Sequence, residues 1–169
     1  MKNIVLIGFM GVGKGTVARA LAKESDLFAL DSDDLIESLE NRKIKDIFKE
    51  DGEEYFRDLE KKTALWLQKN VKNSIISTGG GFYKVKNLKK IGTIIYLQSS
   101  YEAILQRILS HPNAKKKLAK RPLFQDKKKA LKLYNSRIPQ YEECADIVIN
   151  VEGKTPRHIA QEILKQLSS

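Results

Sequence analysis

A short apolar run from Asn3 to Ile7 passes straight into Gly8-Phe9-Met10-Gly11-Val12-Gly13-Lys14, and then into helical periodicity from about Lys14 to Glu24. A strand that turns through glycines into a helix is the first half of a strand–helix–strand unit, which commits a chain to a parallel sheet covered by helices. The rest of the sequence keeps the pattern. Strand-like runs at Leu27 to Leu30, Ser74 to Ser77, Thr93 to Leu97 and Ile147 to Ile149 alternate with helical stretches at Asp34 to Asn41, Glu53 to Lys69, Tyr101 to Leu109, Lys127 to Glu143 and Pro156 to Leu167. The last stretch opens with Thr155 as a helix cap and Pro156 at the first helical position.

A chain of 169 residues with 41% hydrophobic content fills one core, so a single α/β domain with one site is expected over residues 1–169. No apolar run approaches the roughly 20 residues of a membrane span, and Ile4 to Ile7 is too short for a signal peptide. A soluble, cytoplasmic protein is expected. Cys144 is the only cysteine, which excludes an internal disulfide and a thiolate metal cage; it is read as a buried helical residue. Trp66 is read as core, and His111 and His158 as surface residues. The net charge of +10 does not choose between a nucleic-acid surface, small anions and solvated lysine faces. Arg is the minority among the 31 basic residues, so each Arg is a candidate for forked hydrogen bonds to a carboxylate or phosphate.

The glycine-rich turn has the spacing and context of a Walker A phosphate loop. Its glycines allow backbone N–H groups to face inward around phosphates, the helix N-terminus adds positive dipole, and Lys14 reaches the β and γ oxygens. Gly11, Val12, Gly13, Lys14, Gly15 and Thr16 are therefore the expected nucleotide-phosphate residues. One position departs from the pattern. The residue after Lys14 should bring a hydroxyl to Mg²⁺ but is Gly15, followed by Thr16. The Gly-Lys-Gly-Thr run is similar to that of the adenylate kinase family, so phosphoryl transfer is still expected, with the ion held by nucleotide oxygens, water and a carboxylate elsewhere. Asp31 is the candidate for that carboxylate.

Three more segments carry candidate chemistry. In Asp31-Ser32-Asp33-Asp34, an extended backbone would put Asp31 and Asp33 on one face at the C-terminal edge of the sheet, one toward Mg²⁺ and one toward a substrate hydroxyl. Asp34 is equally well explained as a helix-start carboxylate. Gly52-Glu53-Glu54-Tyr55-Phe56-Arg57 offers Arg57, which could simply pair with Glu53. Thr78-Gly79-Gly80-Gly81 ends the third strand and lets a ligand approach the main chain. Between them and the end of the chain, His111 to Gln125 is lysine-rich, contains Pro112 and Pro122, and reads as a mobile lid loop.

Taken in order, Gly-Phe-Met-Gly-Val-Gly-Lys, Asp-Ser-Asp, Gly-Glu-x-x-Phe-Arg, Thr-Gly-Gly-Gly, Arg121-Pro122-Leu123 and Arg137-x-Pro-x-Tyr141 resemble the shikimate kinase family. The resemblance implies a three-layer αβα fold with a five-stranded parallel sheet, of the nucleoside-monophosphate-kinase type. It also implies a substrate region at about 31–60 and a lid at about 110–125. It implies ATP and Mg²⁺ as cofactors, and transfer of the γ-phosphate to the 3-hydroxyl of shikimate. Asp33, Arg57, Gly79, Gly80 and Arg137 would bind shikimate, with Asp33, Lys14 and Arg121 catalytic; Arg107, Arg121 and Lys154 would join the nucleotide site. ATP and shikimate are the expected partners of a monomer, without nucleic acid or membrane.

Three rivals remain at this stage: a related kinase for a nucleoside monophosphate or a sugar acid such as gluconate, a nucleic-acid-binding protein switched by ATP, and a nucleotide binder without catalysis. The first is motivated by Gly15-Thr16, the second by the Lys115–Lys117 and Lys127–Lys129 runs, and the third by Gly15 alone.

Overall fold

The computed structural model describes residues 2–119 and 122–169, with backbone only at 122 and 123. Five strands, β1 Asn3–Ile7, β2 Phe28–Asp31, β3 Ser74–Ser77, β4 Gly92–Gln98 and β5 Ile147–Asn150, form one sheet in the order β2-β3-β1-β4-β5. Every pairing is parallel, from Asn3 opposite Gly92 to Asp31 opposite Ser77. The central strand β1 is buried along its whole length, because a parallel strand with helices on both faces needs a continuous apolar run rather than an alternating one. Strand order reverses about β1, so the crevice at its C-terminal end is where such a sheet takes a ligand.

The helices are α1 Lys14–Lys23, α2 Ser32–Glu40, α3 Ile44–Asn70, α4 Leu88–Ile91, α5 Tyr101–Leu109, α6 Ala114–Ala119, α7 Lys127–Cys144 and α8 Pro156–Leu167. Helix α1 packs on β2 and β3 and against α8, while α7 packs on β4. The main core gathers β1, β3 and β4 with Leu21, Leu67, Ile104, Tyr141 and Ile163. A second, smaller core of Ile36, Ile47, Phe56 and Leu59 joins α2 to the first half of α3. That satellite core matters for the site, because Asp33 lies one turn before Ile36 and Arg57 directly follows Phe56.

Several expectations need correction. The second strand is Phe28–Asp31, and α2 begins at Ser32, so Asp31 and Asp33 do not alternate along an extended backbone. Asp31 ends the strand and caps the helix, its Oδ1 accepting from the Asp33 and Asp34 amides at 2.9 and 3.0 Å. Asp34 occupies the first helical turn, where a carboxylate meets the positive end of the dipole. Helix α3 starts at Ile44 rather than Glu53 and bends at Gly52, whose φ of 86° and ψ of 174° interrupt the helical ladder. The described part of 111–125 is not a plain loop: it holds α6 and a 3₁₀ turn, Pro122–Gln125. Phe124 is buried and meets the Phe9 ring edge-on, with centroids 6.0 Å apart. Trp66 is 48% exposed on α3, not core, and Cys144 is only partly buried at the end of α7. His111 and His158 are exposed as expected.

Candidate active site

The phosphate loop forms as its sequence requires. Gly13 caps α1 at φ 103°, a left-handed conformation that a side chain would strain, and a Cβ there would stand 2.8 Å from the Arg107 guanidinium. Lys14 is 8% exposed; its Nζ donates to the Gly8 and Phe9 carbonyls at 2.6 and 3.1 Å, which holds the ammonium inside the loop. Arg107 Nη1 donates to Gly11 O at 3.1 Å, and burial lowers the pKa of this guanidinium. A cavity of about 480 Å³ opens beside the loop between Thr16, Arg107, Lys154 and Pro156. Lys154 pairs with Glu162 at 2.7 Å along its wall. Of the expected nucleotide residues, Val12, Gly13, Thr16, Arg107 and Lys154 line this cavity. Glu152 was not foreseen: it accepts from the Ser100 amide at 2.6 Å and ties the 151–156 turn to the start of α5.

A second candidate wall is built on the triple glycine after β3. Thr78 Oγ1 donates to Leu6 O at 2.7 Å, and the Gly79 amide donates to Ser32 Oγ at 3.2 Å, which fixes the glycines between β1 and α2. Each glycine then faces one charged side chain. A Cβ on Gly79 would lie 2.7 Å from Asp33 Oδ1, one on Gly80 would lie 2.9 Å from Arg137 Nη1, and one on Gly81 would overlap Arg57 Nη1. The same Cβ on Gly80 would be 3.6 Å from the Met10 amide, so this wall also borders the phosphate loop. Asp33, Arg57 and Arg137 come from α2, α3 and α7, and only the fold brings them to one place.

Four buried side-chain polar atoms among the described residues have no hydrogen-bond partner, and three of them, Asp33 Oδ1, Glu60 Oε2 and Arg137 Nε, belong to this wall. An unpaired buried polar atom costs about 1–3 kcal/mol, so having three of the four in one wall sets this wall apart as a candidate ligand surface. Burial raises the Asp33 carboxyl to about 7, helped by the Asp31 and Glu60 charges and opposed by Lys14. The Glu60 carboxyl, 2% exposed, is also raised by burial, against the pull of Arg57. Arg57 donates to Glu60 at 2.5 Å and pairs with Glu53 at 3.1 Å, so the simple Glu53 pair is real but is not the whole role of Arg57. Glu60 was missed in the sequence. Its signal was the spacing of three from Arg57 on one helical face.

Tyr141 donates to Gly80 O at 2.6 Å, one turn after Arg137, and its ring lies 4.9 Å from Tyr83 and 5.2 Å from Tyr96. Arg121 lies outside the described residues. Asp31 spends Oδ1 on the α2 amides, and the described residues contain no group of three or more metal-ligating side chains.

The family model for shikimate kinase matches residues 10–168. The chain belongs to the shikimate kinase family. Its relatives include the shikimate kinase of Helicobacter hepaticus, 40% identical over 165 residues covering 98% of this chain and 95% of that protein. The shikimate kinase of Persephonella marina is 41% identical over 172 aligned positions, covering 99% of both. Among solved structures, Acinetobacter baumannii shikimate kinase in complex with shikimate superposes with a TM-score of 0.87 at 34% identity, covering 99% of this chain and 93% of that one. Members of this family are ATP-dependent kinases, which agrees with a phosphate loop set beside an acidic and basic pocket wall. Among the described residues, no helix is long and apolar enough to cross a membrane.

Proposed function

We propose that the chain transfers the γ-phosphoryl group of ATP to the 3-hydroxyl of shikimate, giving 3-phosphoshikimate and ADP, a step in the synthesis of chorismate and aromatic amino acids. The single observation that carries this reading is the triple-glycine wall, where Gly79, Gly80 and Gly81 each make room for one of Asp33, Arg137 and Arg57 beside Met10 of the phosphate loop. Two guanidinium groups suit the forked recognition of a carboxylate, and one carboxylate suits an alcohol. Shikimate carries both groups on a rigid ring, which costs less to order than the flexible chain of gluconate, and a nucleoside monophosphate brings a base in place of the carboxylate.

In the proposed reaction, Arg57 and Arg137 hold the substrate carboxylate and Asp33 accepts a hydrogen bond from the 3-hydroxyl. The hydroxyl oxygen bonds to the γ-phosphorus as the bond to the ADP oxygen breaks, and the proton passes to Asp33. Such a transfer needs positioning and charge neutralisation more than covalent chemistry. Lys14 and the backbone amides at the N-terminus of α1 supply the positive surface, with Arg107 and Lys154 beside the nucleotide. Arg121 is proposed, from the family resemblance, to neutralise the transferring group. ATP is proposed to arrive with Mg²⁺, but Gly15 offers no hydroxyl and Asp31 already caps α2. The loop does not match a direct metal site, so the charge work is assigned to the chain's own cations. Residues 110–125 act as the lid, 31–60 as the substrate region of one domain, and the enzyme works as a cytoplasmic monomer without nucleic-acid or membrane partners.

An acceptor panel tests the assignment. With ATP and shikimate, gluconate or nucleoside monophosphates, phosphorus NMR should find a phosphate ester only on the shikimate 3-oxygen. Preferred phosphorylation of gluconate or a nucleotide would replace this reading.

A further inference from the structure

The metal question left open by Gly15 has a physical answer in the surroundings of that residue. A Cβ on Gly15 would meet only Arg19 Nη1, at 3.5 Å, which is ordinary contact. The space where a ligating hydroxyl would stand is therefore open but unfilled by protein. Thr16 does not take over the task. It is turned by about 100° around the helix from position 15. Its Oγ1 also accepts long hydrogen bonds from Arg19 at 3.4 Å and Arg107 at 3.5 Å, so a cation arriving there would meet two guanidinium groups. Asp31, the other candidate, caps α2 with Oδ1, which accepts from two backbone amides and leaves one carboxylate oxygen, Oδ2, outside the cap.

We propose that this chain forms no direct bond to the Mg²⁺ of the bound nucleotide: phosphate oxygens and water complete the ion's coordination, and Gly15 is the residue that decides it. The proposal rests on the nucleotide reading above. Its physical consequence is that the protein adds little to the metal affinity of the nucleotide itself, and that one residue change can add a ligand. Octahedral Mg²⁺ keeps several waters readily, so water can fill the position that a Walker A hydroxyl would occupy.

Mn²⁺ serves as the probe. It is titrated into the protein–ADP complex and into ADP alone, with free Mn²⁺ read by electron paramagnetic resonance and bound waters counted by ¹⁷O-water broadening. The wild-type complex should bind Mn²⁺ within about threefold of free ADP and keep the same number of waters. Gly15→Ser should tighten binding by about tenfold and lose one water, while Gly15→Ala, which adds a Cβ without a hydroxyl, should do neither. A wild-type complex that binds Mn²⁺ about tenfold more tightly than ADP, with a water already displaced, would overturn the proposal. So would an equally large loss of metal affinity in Asp31→Asn. Both results are readable without the serine variant. Calorimetry of ADP with and without Mg²⁺ separates the two readings: no binding in either buffer rejects the nucleotide site itself, whereas binding only with Mg²⁺ overturns this proposal alone.

Discussion

Gly79 and Asp33 are fitted to one another: a single methyl group on the glycine would come within 2.7 Å of the carboxylate Oδ1, an atom that is buried and has no hydrogen-bond partner. The proposed base and the strand end that faces it therefore occupy complementary space, so the position of the Asp33 carboxylate depends on the missing side chain at Gly79.

Gly79→Ala should displace Asp33 and lower kcat by about a hundredfold, with ADP affinity changed less than threefold, since a mispositioned base costs far more than a lost contact. Steady-state kinetics beside ADP calorimetry checks it. Equal loss of both would show that the glycine wall supports the whole fold rather than the acceptor side.

Burial raises Asp33 to about 7, and a proton acceptor must be ionised, so kcat/KM for shikimate should rise with pH through about 7 and then level. Asp33→Asn should nearly abolish turnover and remove that limb. A pH-independent wild-type profile would contradict the assignment.

The same shift has a stability consequence of opposite sign. An Asp raised from 3.8 to about 7 holds its proton in the native state where the unfolded chain has released it. Native protein then binds more protons than unfolded protein across that window, and Asp33 makes stability fall as pH rises through it. Thermal melts should show Asp33→Asn more stable than wild type by a few degrees above about pH 8, with the gap closing toward pH 4. An unchanged gap would mean that Asp33 is ionised in the native state throughout.

Tyr141 braces the wall from behind. Removing its hydroxyl in Tyr141→Phe frees Gly80 O, and the KM for shikimate should rise about fivefold, with kcat and ADP binding little affected. A fall in kcat alone would point instead to a role in the chemical step.

Glu60→Gln should act on Arg57. Weakening the 2.5 Å pair in a buried setting should raise the shikimate KM by about tenfold. Double replacement with Arg57→Ala should add little to the single loss, because both act on one contact. Additive effects would make Glu60 an independent element of the site.

Most of the fold could be read from periodicity, because parallel strands and amphipathic helices leave strong signals; the Tyr101–Leu109 and Pro156–Leu167 helices match residue for residue. The phosphate loop was legible because its chemistry is local. Asp33, Arg57 and Arg137 could be named from the resemblance, yet their convergence on Gly79, Gly80 and Gly81 is a tertiary fact that no spacing reports. Asp31 and Asp33 were misplaced on an extended backbone because an Asp that ends a strand and an Asp that caps a helix look alike, and here one residue does both. Glu60 escaped notice since a Glu within a charged helix has no mark of burial. The 44–51 helix was hidden because Gly52 breaks the periodicity of α3.

Release of ADP, followed in a coupled assay with shikimate present and absent, tests the central claim most directly. An alcohol held by Asp33 against the triphosphate predicts rapid ADP release with shikimate, matched mole for mole by 3-phosphoshikimate, and almost none without it. ADP release at the same rate in both conditions, or in neither, would contradict it.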